Sequence, residues 1–310
     1  MAPVDYDVVD ALGLDIGGTK IAGARVTSDG RVVGSTSIPT PLSGAKDIVD
    51  AIGKIVDELG SDDLIPSMGL AVAAFLNRER DRIFFSPNID WDGFPLKEAV
   101  EQQVGMAVVL ENDANAAGWG EFRFGAAADV SSMLMLTVGT GVGGALVDEG
   151  RLIVGGFGMA AELGHIIIDP GGRQCGCGNR GCLEQYASGT ALMRDARERL
   201  ERPSLTQDEL SQLLRNRDAL ALESLTSIAH ALGRGLASLV SVTDPERVVI
   251  GGGVASAGDL LLDPIRESFV DTYVAGSRRP LPGIVAATMG NTAGVVGAAE
   301  LARAQSHLEA

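Results

Sequence analysis

Leu12-Gly13-Leu14-Asp15-Ile16-Gly17-Gly18-Thr19-Lys20 is an apolar strand pattern running into a glycine turn, and the pattern returns as Leu134-Met135-Leu136-Thr137-Val138-Gly139-Thr140-Gly141. The first copy leads through Val26 to a turn at Asp29-Gly30-Arg31 and then Val32-Val33. The second leads through Val147 to a turn at Glu149-Gly150-Arg151 and then Leu152-Ile153. Each copy reads as strand, glycine turn, strand, Gly-Arg turn, strand. One antiparallel unit used twice, each copy opening roughly half of the chain, predicts two similarly built domains facing each other.

Helical and strand patterns alternate around these units. Residues 45–59 place Ile48, Ile52, Ile55, Val56 and Leu59 on one helical face. Met106 to Leu110 reads as a strand that delivers Glu111-Asn112-Asp113 at its end. Residues 183–200 and 218–242 read as long helices separated by a polar stretch around Pro203. Arg247 to Ile250 is a buried strand running into Gly251-Gly252-Gly253, and Thr292 to about Ala304 is an alanine-rich helix. Pro39-Thr40-Pro41 and Pro280-Leu281-Pro282 read as loops. The mixed order places the chain in the α/β class.

The 310 residues exceed one ordinary core. With 45% hydrophobic and only 4% aromatic residues, the cores are expected to be aliphatic and rich in alanine. The net charge of −16 argues against nucleic acid, whose phosphates call for clustered Lys and Arg. It leaves room for an anionic substrate held by backbone amides. The amino terminus lacks a basic segment, and Asp10 and Asp15 interrupt its apolar stretch, so no secretory signal is expected. No uncharged apolar run approaches a membrane span. Reduced thiols and absent targeting predict a cytoplasmic protein.

Gly17-Gly18-Thr19-Lys20 lacks the spacing of a Walker A loop. Gly139-Thr140-Gly141-Val142-Gly143-Gly144 matches G-x-G-x-x-G, but Ala145 to Gly150 reads as strand and turn where a dinucleotide fold needs a helix. A glycine hairpin still exposes N–H groups to phosphate. Thr19 and Thr140 add hydroxyls, and Asp15 is suited to hold Mg²⁺ through water. A single such turn would be an ordinary hairpin; the matched pair favours phosphate binding.

His165, Cys175, Cys177 and Cys182 include every cysteine of the chain. Three thiolates and an imidazole suit a closed tetrahedral zinc site, and the interleaved glycines let the backbone wrap a small ion. An odd count, with Cys175 and Cys177 one residue apart, argues against disulfides. Three unliganded thiols are the remaining alternative. Glu162 and Glu184 bracket this loop. Asp113, at the junction of a strand and a small-residue helix, is either the helix N-cap or a general base for a hydroxyl, and spacing leaves both open.

Asp15-Ile16-Gly17-Gly18-Thr19-Lys20, Glu111-Asn112-Asp113-Ala114-Asn115, Leu136-Thr137-Val138-Gly139-Thr140-Gly141 and Glu162-Leu163-Gly164-His165 occur in the order found in the ROK family (repressors, open reading frames, kinases). The cysteine loop, followed by Leu183-Glu184-Gln185-Tyr186-Ala187-Ser188-Gly189, is similar to that family's as well. The resemblance runs from Leu12 to about Ala302. Ser86-Pro87-Asn88-Ile89-Asp90-Trp91 and Gly251-Gly252-Gly253-Val254 resemble ATP-dependent glucokinases of the actinobacterial type.

The resemblance implies an actin-like, ribonuclease-H-like ATPase fold with two domains around a cleft. A smaller N-terminal domain, 1–117 plus 293–310, would carry the first phosphate hairpin and the catalytic Asp. A larger C-terminal domain, 118–292, would carry the second hairpin, the zinc loop and the adenosine site. ATP, with Mg²⁺, would contact Asp15, Gly17, Gly18, Thr19, Lys20, Thr140 and Gly141, its adenosine end near Gly252 and Gly253. The sugar would be held by Asn88, Asn112, Asp113, Glu162, His165 and Glu184, with Asp113 as base for the 6-hydroxyl of glucose. Zinc would be structural, on His165, Cys175, Cys177 and Cys182. A homodimer or homotetramer is implied too.

The rival enzymes are kinases for N-acetylglucosamine, N-acetylmannosamine or fructose, or one using polyphosphate as donor. A sugar-responsive repressor needs a helix-turn-helix ahead of the kinase-like body; with only about ten residues before the first strand, none is expected. A purely structural zinc module leaves the paired hairpins unexplained. One departure from the family is Ala74, where a glycine is usual, which bears on the range of sugars rather than the reaction.

Overall fold

The computed structural model describes residues 10–60, 65–86 and 91–309. The chain begins with β1 (Ala11–Ile16), β2 (Lys20–Val26), β3 (Val32–Pro39), α1 (Ala45–Leu59), β4 (Ser67–Val72) and a small hairpin, β5 (Phe75–Leu76) and β6 (Ile83–Phe85). It continues with α2 (Leu96–Val104), β7 (Ala107–Asn112), α3 (Asp113–Phe124), β8 (Met133–Val138), β9 (Val142–Asp148) and β10 (Arg151–Leu152). Then follow α4 (Glu184–Ala187), α5 (Gly189–Arg199), α6 (Gln207–Arg215), α7 (Ala219–Thr243), β11 (Arg247–Gly251), α8 (Asp259–Thr272), β12 (Gly283–Ala286) and α9 (Ala293–Glu309).

The two large sheets repeat one topology. The first has the order β3-β2-β1-β4-β7 and the second β10-β9-β8-β11-β12. In each, the hairpin strands are antiparallel and the next two strands parallel. The internal repeat read from the glycine turns is therefore a structural duplication. Gly30 and Gly150, in the two Gly-Arg turns, have φ of 81° and 73°, the left-handed backbone that favours glycine.

The chain divides into two compact units: Met1–Asp129 with Arg151–Ala161 and Met289–Ala310, and Val130–Gly150 with Glu162–Thr288. The expected division at 117/118 runs through α3, whereas here the chain first leaves the first unit after Asp129. The reason lies in α9. Its Gly297 passes so close to α3 that a Cβ there would sit 1.7 Å from Ala116 O, and Arg123 of α3 pairs with Glu300 at 3.0 Å. The same helix crosses the first sheet closely enough that a Cβ on Gly69 would fall 1.9 Å from Ala298 O. Residues that pack this tightly on one helix form one cooperative body.

The core of the first unit is aliphatic, as composition predicts. Leu12, Leu14, Ile16, Leu70 and Val72 of the sheet pack on Ile48, Ile52 and Ile55 of α1, the face anticipated from periodicity. Ala74 belongs to this core, with its side chain almost fully buried. The methyl group that replaces the usual glycine is thus spent on packing.

Two helical expectations change. Residues 183–200 form two helices, α4 and α5, because Ser188 is extended (φ −84°, ψ 168°) and caps Ala191 N with its side chain. The polar stretch near Pro203 contains α6, started by a capping box between Thr206 and Glu209. By length and composition α7 is apolar enough to cross a membrane, but most of it is buried within the second unit. That is the pattern of a core helix.

Candidate active site

In the first unit, parallel pairing aligns Asp15 with Ala71 and Ala71 with Glu111, so that Ile16, Val72 and Asn112 end their strands side by side. The carboxyl ends of parallel strands are where α/β sheets bind ligands. The first glycine turn leaves β1 here, closed by Gly17 N–H donating to Lys20 O at 3.0 Å. Thr40 braces it from outside: its N–H donates to Thr19 O at 3.0 Å and its hydroxyl to Gly17 O at 2.7 Å.

The N-cap of α3 is Asn112, whose Oδ1 accepts from Ala114 N–H at 3.0 Å and Asn115 N–H at 3.1 Å. Asp113 is the first residue of the helix and does not serve as its cap. Burial holds the Asp113 carboxyl above its usual range, against hydrogen bonds from Ala114 N–H and neighbouring groups. Burial, reinforced by the charge of Asp113 and opposed by Lys20, pushes Asp15 up to about 6. Two half-buried carboxylates close enough to repel destabilise a fold, and such pairs cluster at sites that handle protons or cations. Asn88 lies outside the described residues.

In the second unit, the glycine turn between β8 and β9 is closed by Gly139 N–H donating to Gly141 O at 3.0 Å. The segment after the cysteine loop grips it at several points. Gly189 N–H donates to Gly139 O at 2.7 Å, Thr190 Oγ1 to Thr140 O at 2.7 Å, and Val142 N–H to Glu184 Oε2 at 3.1 Å. A cavity of about 540 Å³ opens beside this turn, lined by Gly139, Thr140, Met193, Leu210, Gly253 and Val254. Of the two glycines expected at an adenosine end, Gly253 lines the cavity. Gly252 instead has φ 83° and passes β8 so closely that a Cβ would lie 2.4 Å from Val138 O.

The ligand atoms of His165, Cys175, Cys177 and Cys182 all lie within 4.8 Å of one another. Tetrahedral coordination at Zn–S distances of about 2.3 Å separates two thiolates by about 3.8 Å. Cys177 Sγ and Cys182 Sγ are 3.6 Å apart, and Cys175 Sγ is 3.7 Å from His165 Nδ1. The residues therefore fit a zinc ion, with Nδ1 on the metal side. Cys175 Sγ also lies 3.8 Å from Glu184 Oε1, and His165 N–H donates to Glu162 O at 3.0 Å. The Glu162–His165 turn rests on the glycine hairpin, because a Cβ on Gly164 would lie 2.0 Å from Val142 O. Glu162, His165, Glu184, the cysteines and the second glycine turn thus form one cluster.

Sequence reading missed the braces of both turns, Thr40 and Thr190, and the half-buried Arg80 beside Glu111. Nothing in their spacing links them to the turns; only Asn115, four residues after Glu111, carried a helical-neighbour signal.

The profile of the ROK family matches residues 11–305. A glucokinase of Streptomyces coelicolor is 44% identical over 308 residues, covering 94% of this chain and 97% of its own. A ROK family glucokinase of Streptomyces griseus, solved in complex with glucose and AMPPNP, superposes with a TM-score of 0.87 at 42% identity, covering 96% of this chain and 100% of its own. A ROK hexokinase of Thermus thermophilus gives a TM-score of 0.83 at 36% identity, covering 96% and 99%. The duplicated sheet topology is accordingly that of the actin-like ATPase fold, ribonuclease-H-like in each half. The chain is a member of the ROK family.

Proposed function

We propose that this protein is a glucokinase that transfers the γ-phosphate of ATP to the 6-hydroxyl of glucose. The observation that carries the reading is Asp113: a half-buried carboxylate, relieved of capping by Asn112, at the carboxyl end of β7 beside Asp15. A carboxyl held above its usual range takes a proton from a hydroxyl more readily. As that proton passes to Asp113, the sugar oxygen bonds to the γ-phosphorus, the bond to the β-phosphate oxygen breaks, and ADP leaves.

The remaining residues position and neutralise, which is most of what phosphoryl transfer asks of a protein. Gly17, Gly18, Thr19 and Lys20 on the first turn, with Thr140 and Gly141 on the second, engage the phosphates. Asp15 would hold the Mg²⁺ that accompanies ATP and neutralises its phosphates. The cavity at Gly253, with Gly252 shaping its edge, takes the adenosine. Asn88, Asn112, Asp113, Glu162, His165 and Glu184 hold the sugar hydroxyls. A pyranose both donates and accepts, so carboxylates and amides suit it. His165 through Nδ1, with Cys175, Cys177 and Cys182, would hold a structural zinc that would fix the imidazole tautomer, leaving the His165 Nε2–H to donate to the sugar. The protein works in the cytoplasm, where these thiols stay reduced, as a homodimer or homotetramer; light scattering checks the assembly.

A coupled assay of the purified protein against glucose, mannose, glucosamine, galactose, fructose, N-acetylglucosamine and N-acetylmannosamine tests the reading, with ATP or polyphosphate as donor. Glucose with ATP is expected to give the highest kcat/KM, and galactose, inverted at the 4-hydroxyl, a poor one. Faster turnover of N-acetylglucosamine than of glucose would overturn the substrate and leave the kinase assignment standing.

A further inference from the structure

Arg80 and Glu111 form a buried ion pair directly behind the turn that carries Asp113. Arg80 Nε lies 2.9 Å from Glu111 Oε2, and their side chains are 15% and 6% exposed. The other oxygen, Glu111 Oε1, accepts from Asn112 N–H at 2.8 Å and from Asn115 Nδ2 at 3.0 Å. One carboxylate is thereby shared among Arg80, the residue before the base and the residue two after it.

Arg80 reaches this place from the loop between β5 and β6 by an uncommon route. Its backbone is left-handed (φ 53°), which non-glycine residues seldom adopt outside sites where surrounding structure imposes it. Asn77 imposes it here: Asn77 O accepts Arg80 N–H at 3.1 Å, and Asn77 Oδ1 accepts the N–H groups of Asp81 and Arg82 at 3.1 and 3.2 Å. Arg80 Nη1 also donates, at 3.4 Å, to Gly158 O in the segment that leads to Glu162.

A buried ion pair contributes little net stability, since desolvation offsets much of the attraction. What a guanidinium supplies is direction: its planar fork holds a carboxylate in one orientation. Burial raises the Glu111 carboxyl above its usual range, while the Arg80 charge and the Asn115 and Asn112 hydrogen bonds counter that rise. Without Arg80 the carboxylate is buried unpaired, and the backbone it holds loses its reference point.

We propose that Arg80 is a positioning residue for phosphoryl transfer: through Glu111 it sets the Asn112 backbone and the first turn of α3, and so orients Asp113. The inference rests on Asp113 being the base. Arg80→Met, Arg80→Lys, Glu111→Gln and the Arg80→Met/Glu111→Gln double variant are compared with Asp113→Asn in one steady-state assay, each with its melting curve. Arg80→Met is expected to lower kcat about 10- to 100-fold, the scale of an ångström-sized misplacement, with the ATP KM unchanged. In the Glu111→Gln background, with no charge left unpaired, the same change is expected to cost less than about threefold. Arg80→Lys, which keeps the charge and loses the fork, should fall between parent and Arg80→Met.

A pair that served stability alone would lower the melting temperature and leave kcat of the folded enzyme at the parental value, and that result overturns the proposal. Equal losses in both backgrounds overturn it too, because Arg80 would then not act through Glu111. If Arg80→Met does not fold, parental kcat in Arg80→Lys is the overturning result. Inactive Asp113→Asn beside fully active Arg80→Met defeats this inference alone, whereas parental turnover in Asp113→Asn defeats the base assignment and this inference with it.

Discussion

Val142 donates its backbone N–H to Glu184 Oε2 at 3.1 Å, so the strand leaving the second glycine turn is held by a carboxylate two residues beyond Cys182. The other oxygen of Glu184 lies 3.8 Å from Cys175 Sγ. Glu184, proposed above to hold the sugar, is at the same time the strut between the cysteine loop and the second glycine turn.

Glu184→Ala removes that strut and leaves the Val142 N–H without its acceptor. Binding of a non-hydrolysable ATP analogue, measured calorimetrically without sugar, is expected to weaken about tenfold, the equivalent of one hydrogen bond of about 1.4 kcal/mol. Glu184→Gln retains an acceptor and should bind the analogue close to the parent. Unchanged binding by Glu184→Ala would show that the hairpin stands without the carboxylate.

Asp113→Asn keeps the shape of the side chain and loses its capacity to take a proton. Turnover is expected to fall by about 10² to 10⁴, the usual contribution of a general base, with glucose affinity largely kept. Because Asn112 is the N-cap and burial raises the Asp113 carboxyl, the melting temperature should not fall below the parent's. Turnover within a few-fold of the parent would remove Asp113 from the chemistry.

Asp15 makes stability depend on pH. Its folded pKa, about 6, lies above the ordinary value of 3.8. The neutral form is favoured in the fold, so stability falls as pH rises from about 4 to about 6 and stays lower above that. Asp15→Asn removes the penalty. In nucleotide-free protein at about pH 7.5 it should raise the melting temperature by a few degrees, with the gain vanishing near about pH 4. A gain independent of pH would mean that the Asp15 charge is not its source.

Loss of zinc should act locally. Zinc-finger peptides unfold without their metal, but the second unit has its own core in Leu134, Leu136, Leu232, Val249 and Ile250. Cys177→Ala or chelation is expected to abolish activity and raise the glucose Kd while far-UV circular dichroism stays near the parent's. Full activity in protein shown by elemental analysis to be free of zinc would break the link between metal and sugar.

Much of this molecule is legible in local pattern. The helix α1 spans the residues its periodicity marks, and the two glycine turns sit in hairpins of equal design, Ala11–Ile16 with Lys20–Val26 and Met133–Val138 with Val142–Asp148. Strand, turn and metal-loop signals are written in adjacent residues, so short windows contain them. The break at Ser188 is readable in principle from an N-cap serine, although apolar periodicity runs across it, and α6 from the Thr206–Glu209 capping box, although the stretch around it is polar.

By itself the sequence determined which chemistry is present: paired glycine turns, a cysteine and histidine set with zinc spacing, and carboxylates at a strand end. These depend on residue type and short-range spacing, which the chain carries directly. Only the tertiary structure decided how those groups are used. That Glu184 reaches Val142 across 42 positions and that Arg80 meets Glu111 depend on contacts between distant segments. Such contacts form because whole sheets and helices bury their apolar faces together, and the polar side chains they carry are brought within hydrogen-bonding reach only once that packing is complete.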